Sequence, residues 1–296
     1  MSKIGKVVAR YRRHSLVENQ QGERVVCQLQ SRSLNPVVGD RVEWHIESDR
    51  KGIITKLLSR NSTLMRINNR GKPETIAANL SQLVVVLAPQ PTPDWFLLDR
   101  YLASAALSGL KSVIVFNKVD LGENCPEELT NYRNLTDHIC LTSAKKRSGL
   151  MALATYMAKE CSVLIGQSGV GKSSLINALL GSARQAVNEL SDKSGHGRHT
   201  TSTSVLYKLP ESGELIDSPG VRDYAPYIAD VRDVERGFKE FGSSYKSNCR
   251  FDDCRHLAEP DCAIKTAVAK CVITERRYQS YLNLLELTES VQEKHR

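Results

Sequence analysis

Through its first sixty or so residues the chain alternates apolar and polar positions in short runs, GKVVARY, ERVVCQLQ, VVGDRVEWHI and GIITKLL, broken by ENQQG, LNP and ESDRKG. Alternation puts every second side chain on one face, the pattern of half-buried β-strands, and the turn signals between the runs leave no room for helices. Short strands of this kind close into a small barrel, and five of them suggest an OB-fold. The polar stretch from Asn61 to Asn79, centred on NNRGKP, reads as a linker.

Beyond it the texture changes. Continuous apolar runs, LVVVLA (83–88), SVIVF (112–116), HICLTS (138–143) and CSVLIG (161–166), alternate with segments of helical character near 97–109, 126–135 and 148–159, and SVLYKL and ELID follow. Strands that are apolar on both faces and separated by helices predict an α/β domain, a mostly parallel sheet covered on both sides. From about residue 229 the chain becomes charged and mostly helical, interrupted by a Cys/His cluster. Its last helix carries Tyr278, Tyr281, Leu282 and Leu285 on one face, which reads as packing on its own domain. The expected organisation is multidomain: residues 1–65 as an all-β barrel, 66–228 as the α/β domain and 229–296 as a mostly α domain.

Charge sharpens this division. The 296 residues carry a formal charge of +8, and residues 1–65 hold 12 Lys and Arg against 6 Asp and Glu. The other two segments are near balance, at 17 against 15 and 12 against 12, so a phosphate-rich partner would feel the barrel most. No apolar run approaches the roughly 20 residues needed to cross a membrane. The opening MSKIGKVVARYRR has no apolar core for a signal peptide, so a cytosolic chain is expected. In that compartment clustered cysteines bind metal more often than they form disulfides. Three of the eight cysteines fall within residues 249–262; Cys27, Cys125, Cys140, Cys161 and Cys271 are scattered and read as structural or incidental.

The chemistry begins with GQSGVGKSS, residues Gly166, Gln167, Ser168, Gly169, Val170, Gly171, Lys172, Ser173 and Ser174. It fits the phosphate-loop pattern and stands where that pattern must, after an apolar strand and before a helix. Its glycines let backbone N–H groups turn inward around phosphates, Lys172 adds a point charge, Ser173 offers a hydroxyl to Mg²⁺, and the helix supplies its positive end. Guanine is selected by NKVD, Asn117, Lys118, Val119 and Asp120: a carboxylate there accepts two parallel hydrogen bonds from guanine N1–H and its exocyclic amine, a donor pair that adenine lacks. TSAK follows the next strand, so Ser143, Ala144 and Lys145 complete the base pocket, with the Ala144 N–H expected at the guanine O6.

DSPG ends the strand ELI, placing Asp217 to reach Mg²⁺ through water and the Gly220 N–H to meet the γ-phosphate. Between the phosphate loop and DSPG lies SDKSGHGRHTTSTS, a polar loop that could supply a Mg²⁺-binding threonine, Thr200 or, preferred, Thr201. In Ras-like enzymes a glutamine after DxxG orients the attacking water, but Val221 stands here and cannot do so. His199 is the catalytic candidate, with His196 nearby, because an imidazole at neutral pH can orient or deprotonate water. Finally, CRFDDCRHLAEPDC presents Cys249, Cys254, His256 and Cys262, three thiolates and an imidazole suited to one closed, structural Zn²⁺ site. Its C-x4-C-x-H-x5-C spacing departs from the usual CxxC knuckles.

Taken in chain order, NKVD, TSAK, GQSGVGKSS, RHTTS and DSPG resemble the circularly permuted GTPases of small ribosomal subunit biogenesis, the RsgA (YjeQ) family. The resemblance spans the whole chain: OB-fold, permuted GTPase domain and zinc domain. It implies a cytoplasmic monomer that binds GTP and GDP and works on the 30S subunit and its 16S rRNA in late maturation, hydrolysing GTP slowly alone and faster on the subunit. It also implies an apolar residue at Val221 and a hydrolytic role for His199. RHTTST departs from the family's usual run of threonines, which bears on which hydroxyl reaches Mg²⁺. A GTP-regulated placeholder on RNA, with hydrolysis incidental, is the other reading. Permutation also sends the chain from the nucleotide-sensitive DSPGVRD loop almost directly into the Cys/His segment, so loss of the γ-phosphate is expected to be felt there.

Overall fold

The computed structural model describes residues 2–11, 13–48, 51–68, 71–122, 125–181, 203–221, 227–242 and 247–293. Five strands make the N-terminal barrel: β1 (Lys3–Arg10), β2 (Ser15–Asn19), β3 (Arg24–Leu29), β4 (Arg41–Ser48) and β5 (Lys51–Leu57). Their order is β1-β2-β3-β5-β4, and β4 pairs back with β1 to close the barrel. The inward positions are Val7, Val17, Cys27, Val42, Trp44 and Ile54, all fully buried. The OB-like barrel expected from the alternating runs is therefore present. Its second strand, SLVEN, is the one that the pattern does not pick out, having only two apolar residues.

The stretch read as a linker is not one. It folds as a hairpin of β6 (Thr63–Ile67) and β7 (Pro73–Ala78). Between the strands, the Asn68 side chain accepts from the Lys72 N–H and Gly71 takes φ 75°. Leu64, Ile76, Ala77 and Ala78 on the strands are buried, and all but Ala78 join the main core of the next domain. Short strands whose buried face includes two alanines carry too little apolar signal to stand out beside so polar a turn.

The central domain is a six-stranded sheet in the order β10-β9-β8-β11-β13-β12. Its members are β8 (Gln82–Leu87), β9 (Lys111–Phe116), β10 (His138–Leu141), β11 (Cys161–Ile165), β12 (Ser204–Lys208) and β13 (Glu214–Asp217). All are parallel except β12, which runs antiparallel to β13 and also pairs with β1 of the barrel through Ala9–Val205 and Arg10–Ser204. One sheet thus continues from domain to barrel. Leu83, Val85 and Leu87 face one side with α1 (Trp95–Leu107); Val84 and Val86 face the other with α2 (Leu150–Tyr156) and α3 (Lys172–Leu180). The helix expected near 126–135 is a 3₁₀ helix, Glu127–Tyr132, whose i and i+3 side chains eclipse, so Leu129 and Tyr132 enter the core together.

The C-terminal region contains α4 (Ala263–Ala269), the long α5 (Glu275–Glu293) and 3₁₀ turns over Val231–Gly237 and Lys239–Phe241. On α5, Tyr281 and Leu285 are buried among Phe238, Phe241, Ile264 and Ile273, so that face packs within its own domain. The same domain docks on α1 through a buried ionic network. Asp99, fully buried, accepts from Arg277 at 2.6 Å, Arg276 at 2.7 Å and the Tyr132 hydroxyl at 2.6 Å, while Arg277 also donates to Glu240. Burial alone would lower the Arg277 pKa, but Asp99 and Glu240 outweigh it and raise it, so the guanidinium stays charged inside the interface.

Candidate nucleotide site and metal cluster

Among the described residues, four motifs of the central domain hang from the same edge of the sheet. β11 runs into the phosphate loop, β13 into DSPG, β9 into NKVD and β10 into TSAK, and these strands are parallel, so all four loops leave at their C-terminal ends. That edge is where open α/β sheets bind ligands. The phosphate loop takes the strained backbone that glycine allows: φ is 140° at Gly166, 85° at Gly169 and 95° at Gly171. A Cβ at Gly166 would lie 2.2 Å from the Val86 carbonyl oxygen, and one at Gly171 would lie 2.5 Å from Asn117 Nδ2, so neither position admits a side chain.

Asn117 joins the base and phosphate loops. Buried to 1% exposure, it donates from Nδ2 to the Val170 carbonyl at 3.0 Å and accepts at Oδ1 from the Thr142 hydroxyl at 3.1 Å and the Ala144 N–H at 3.3 Å. The Ala144 amide, expected to serve the base, thus already has a protein partner. Asp120 accepts from the Ser143 hydroxyl at 2.5 Å, and that bond, ahead of the nearby Lys145 and Lys146 charges, holds its carboxyl below the usual range. An ionised, half-buried carboxylate at this point is a ready acceptor. Lys118, at φ 64°, donates to the Gln90 carbonyl, and Val119 takes the Thr142 carbonyl. Lys145 is exposed on the same loop.

On the phosphate side, Lys172 Nζ donates to the Gly166 and Gln167 carbonyls at 2.6 and 2.7 Å, folding back over the loop. Ser168 and Gly169 are exposed at its rim, and Ser173 and Ser174 are exposed in the first turn of α3. Gln167 braces the loop from outside, accepting from the Asp94 N–H and donating to the Thr92 carbonyl. Asp217 closes β13 half-buried, Ser218 and Ser204 share a hydrogen bond, and Val221 is buried in the core rather than turned to the site. His199, Thr200 and Thr201 lie outside the described residues.

In the C-terminal domain, Cys249, Cys254, His256 and Cys262 bring one ligand atom each within 4.8 Å of the others. His256 Nδ1 lies 3.7, 3.4 and 3.3 Å from the three sulfurs. Ligands about 2.0 to 2.3 Å from a tetrahedral metal sit about 3.5 Å apart, so the spacing fits such an ion. Burial pushes the Cys254 thiol up to about 12, a penalty that a bound cation would offset. His256 Nε2 is buried without a hydrogen bond and faces Glu235 at 3.6 Å. A carboxylate behind a ligating imidazole orients the ring. Glu235 escapes sequence reading because it lies 21 residues before His256 and follows no ligand spacing.

Fold and motif placement define a phosphate-loop nucleotide-binding domain in permuted chain order, flanked by a barrel and a helical domain that carries the Cys/His cluster. A family profile described as RsgA GTPase matches residues 57–226, and the chain belongs to that family. Proteins called small ribosomal subunit biogenesis GTPase RsgA are similar along nearly its whole length. That of Haemophilus influenzae (strain 86-028NP) is 37% identical, covering 99% of this chain and 88% of the relative. That of Pseudomonas putida (strain ATCC 700007) is 40% identical, covering 95% and 84%. Among solved structures, YjeQ from Thermotoga maritima superposes with a TM-score of 0.77 at 30% identity, covering 97% of this chain and 99% of that one. YloQ, described as a circularly permuted GTPase, gives 0.74 at 24% identity over 98% and 96%, a likeness of fold.

Proposed function

We propose that this chain binds GTP at the sheet edge, hydrolyses it to GDP and phosphate, and acts as a GTPase in late maturation of the small (30S) ribosomal subunit. The observation that carries this reading is the convergence on Asn117, whose side chain ties the phosphate loop to the guanine loops, beside an Asp120 already held for a base. Asp120 reads guanine N1–H and the exocyclic amine, Asn117 and Ser143 hold the pocket in shape, and the Lys118 stem covers the ring. Backbone amides of residues 166–174 and Lys172 cradle the phosphates, and the Gly220 N–H meets the γ-phosphate. Ser173, Asp217 and Thr200 or Thr201 would hold Mg²⁺, which neutralises charge developing on the phosphates.

His199 orients the attacking water, whose oxygen bonds to the γ-phosphorus as the bridge to the β-phosphate breaks. His199→Ala is expected to slow turnover roughly a hundredfold while leaving nucleotide affinity unchanged; full activity in that variant assigns the water to another group. Cys249, Cys254, His256 and Cys262 hold one structural Zn²⁺. Chelation should release about one zinc per chain and raise hydrogen exchange across Val231–Gly237, α4 and α5. Unaltered exchange after metal loss removes the structural role.

The family's printed names, which call these relatives GTPases, favour hydrolysis over a placeholder role. They also name the small ribosomal subunit as the relatives' setting, and a cytoplasmic, monomeric chain working on the 16S rRNA of that subunit is the reading proposed for this protein. Among the described residues no helix is long and apolar enough to cross a membrane. Lys3, Arg13, Arg32, Arg41, Lys51 and Lys56 are exposed on the barrel, a surface suited to RNA phosphates. Each neutralised phosphate releases counterions, so six contacts imply an affinity for 30S subunits that falls roughly a thousandfold between about 50 and 200 mM salt. Sedimentation with 30S and 50S subunits over that range tests this: a steep fall with 30S and little binding to 50S is expected, and equal binding to both refutes the assignment.

A further inference from the structure

The hairpin between barrel and nucleotide domain carries Arg66 on β6, and its Nη1 donates to the Gly220 carbonyl at 3.1 Å, across 154 residues of sequence. Glu74 on β7 holds the other side of the guanidinium, accepting from Nε at 3.4 Å and Nη2 at 3.3 Å. Ile76 of the same strand lies under Gly220, 3.3 Å from where a Cβ would stand, and the next residue, Val221, is buried in the cluster that includes Leu64 and Ile76. Further along the chain, the Tyr227 N–H donates to the Met65 carbonyl. Gly220 and Tyr227 are therefore both fastened to one hairpin.

The hairpin is itself anchored. The Ala78 N–H donates to the Val38 carbonyl at 3.0 Å and Asn79 Nδ2 to the Gly39 carbonyl at 2.9 Å. Below them Asp40, fully buried, takes a two-pronged bond from Arg60 at 2.7 and 2.8 Å. A side chain on such a support can fix the orientation of the peptide that it holds.

We infer that Arg66 is a positioning residue for the γ-phosphate: it grips the Gly220 carbonyl while the Val221 N–H of the same peptide unit donates to the Ser218 carbonyl at 3.0 Å, and the Gly220–Val221 peptide so fixed orients, through Gly220, the adjoining peptide whose N–H is to meet the nucleotide. This rests on the GTPase reading above. GDP has no γ-phosphate and gains nothing from that amide, whereas GTP does, so the two nucleotides should respond differently to loss of the arginine. A lysine keeps one donor but lacks the planar fork that Glu74 grips.

The test is equilibrium binding of GDP and of a non-hydrolysable GTP analogue to the full chain and to Arg66→Ala, Arg66→Lys and Glu74→Gln. Arg66→Ala is expected to weaken the analogue about tenfold with GDP affinity unchanged, Arg66→Lys to lose less, and Glu74→Gln, which keeps the arginine and its size, to shift the same ratio in the same direction. Equal losses for both nucleotides, or no loss in any variant, overturn the inference while leaving the GTPase reading intact. A wild-type chain that binds neither nucleotide overturns both.

Discussion

Asp120→Asn should lower affinity for guanine nucleotides on the order of a hundredfold and shift preference toward xanthine nucleotides, without loss of fold. The carboxylate receives the Ser143 hydroxyl at 2.5 Å and stays below its usual pKa, so at neutral pH it is an acceptor on both oxygens. Guanine presents two donors to it, N1–H and the exocyclic amine. An amide offers one acceptor and one donor, so one of the two bonds is lost and a donor faces a donor. Xanthine carries a carbonyl where guanine has the amine, and this restores complementarity. Competition of GTP and XTP for the variant reads the change directly, and unchanged GTP binding would take NKVD out of the site.

Asp99→Ala should loosen the C-terminal domain from the nucleotide domain. The substitution leaves Arg277, 3% exposed, with Glu240 alone, and removes the partner of Arg276 and of the Tyr132 hydroxyl. Breaking a buried ion pair by removing one member costs about 3 to 5 kcal/mol, since the remaining charge stays desolvated. Hydrogen exchange along α5 should rise sharply in this variant. Replacing the pair together, Asp99→Leu with Arg277→Met, removes both charges and should recover much of the protection. If the single and double variants exchange alike, the network does not hold the interface.

Much of this molecule is legible in its sequence because the signals are local. A phosphate loop is a contiguous run whose glycines are dictated by a single turn, and the sheet that presents it consists of uninterrupted apolar strands such as QLVVVL and KSVIVF. The four residues of the Cys/His cluster crowd one short segment. What escapes the sequence is what depends on distant residues. Arg66 meets Gly220, Glu235 stands behind His256, and Asp99 pairs with Arg277, and none of these pairs has a fixed spacing. The hairpin was hidden by its own turn. Chain order suggested that DSPG speaks to the Cys/His domain that follows it; folding adds a contact with the N-terminal hairpin, far away in sequence and adjacent in space.

That contact joins the DSPG strand end to a hairpin that is itself anchored on the barrel. The most direct measurement is GTP turnover by the purified chain, alone and with 30S or 50S subunits, with zinc content determined on the same sample. Slow turnover alone, a many-fold rise with 30S and none with 50S is the predicted result. Turnover that 30S subunits leave unchanged, in a zinc-loaded sample that binds GTP, would contradict it.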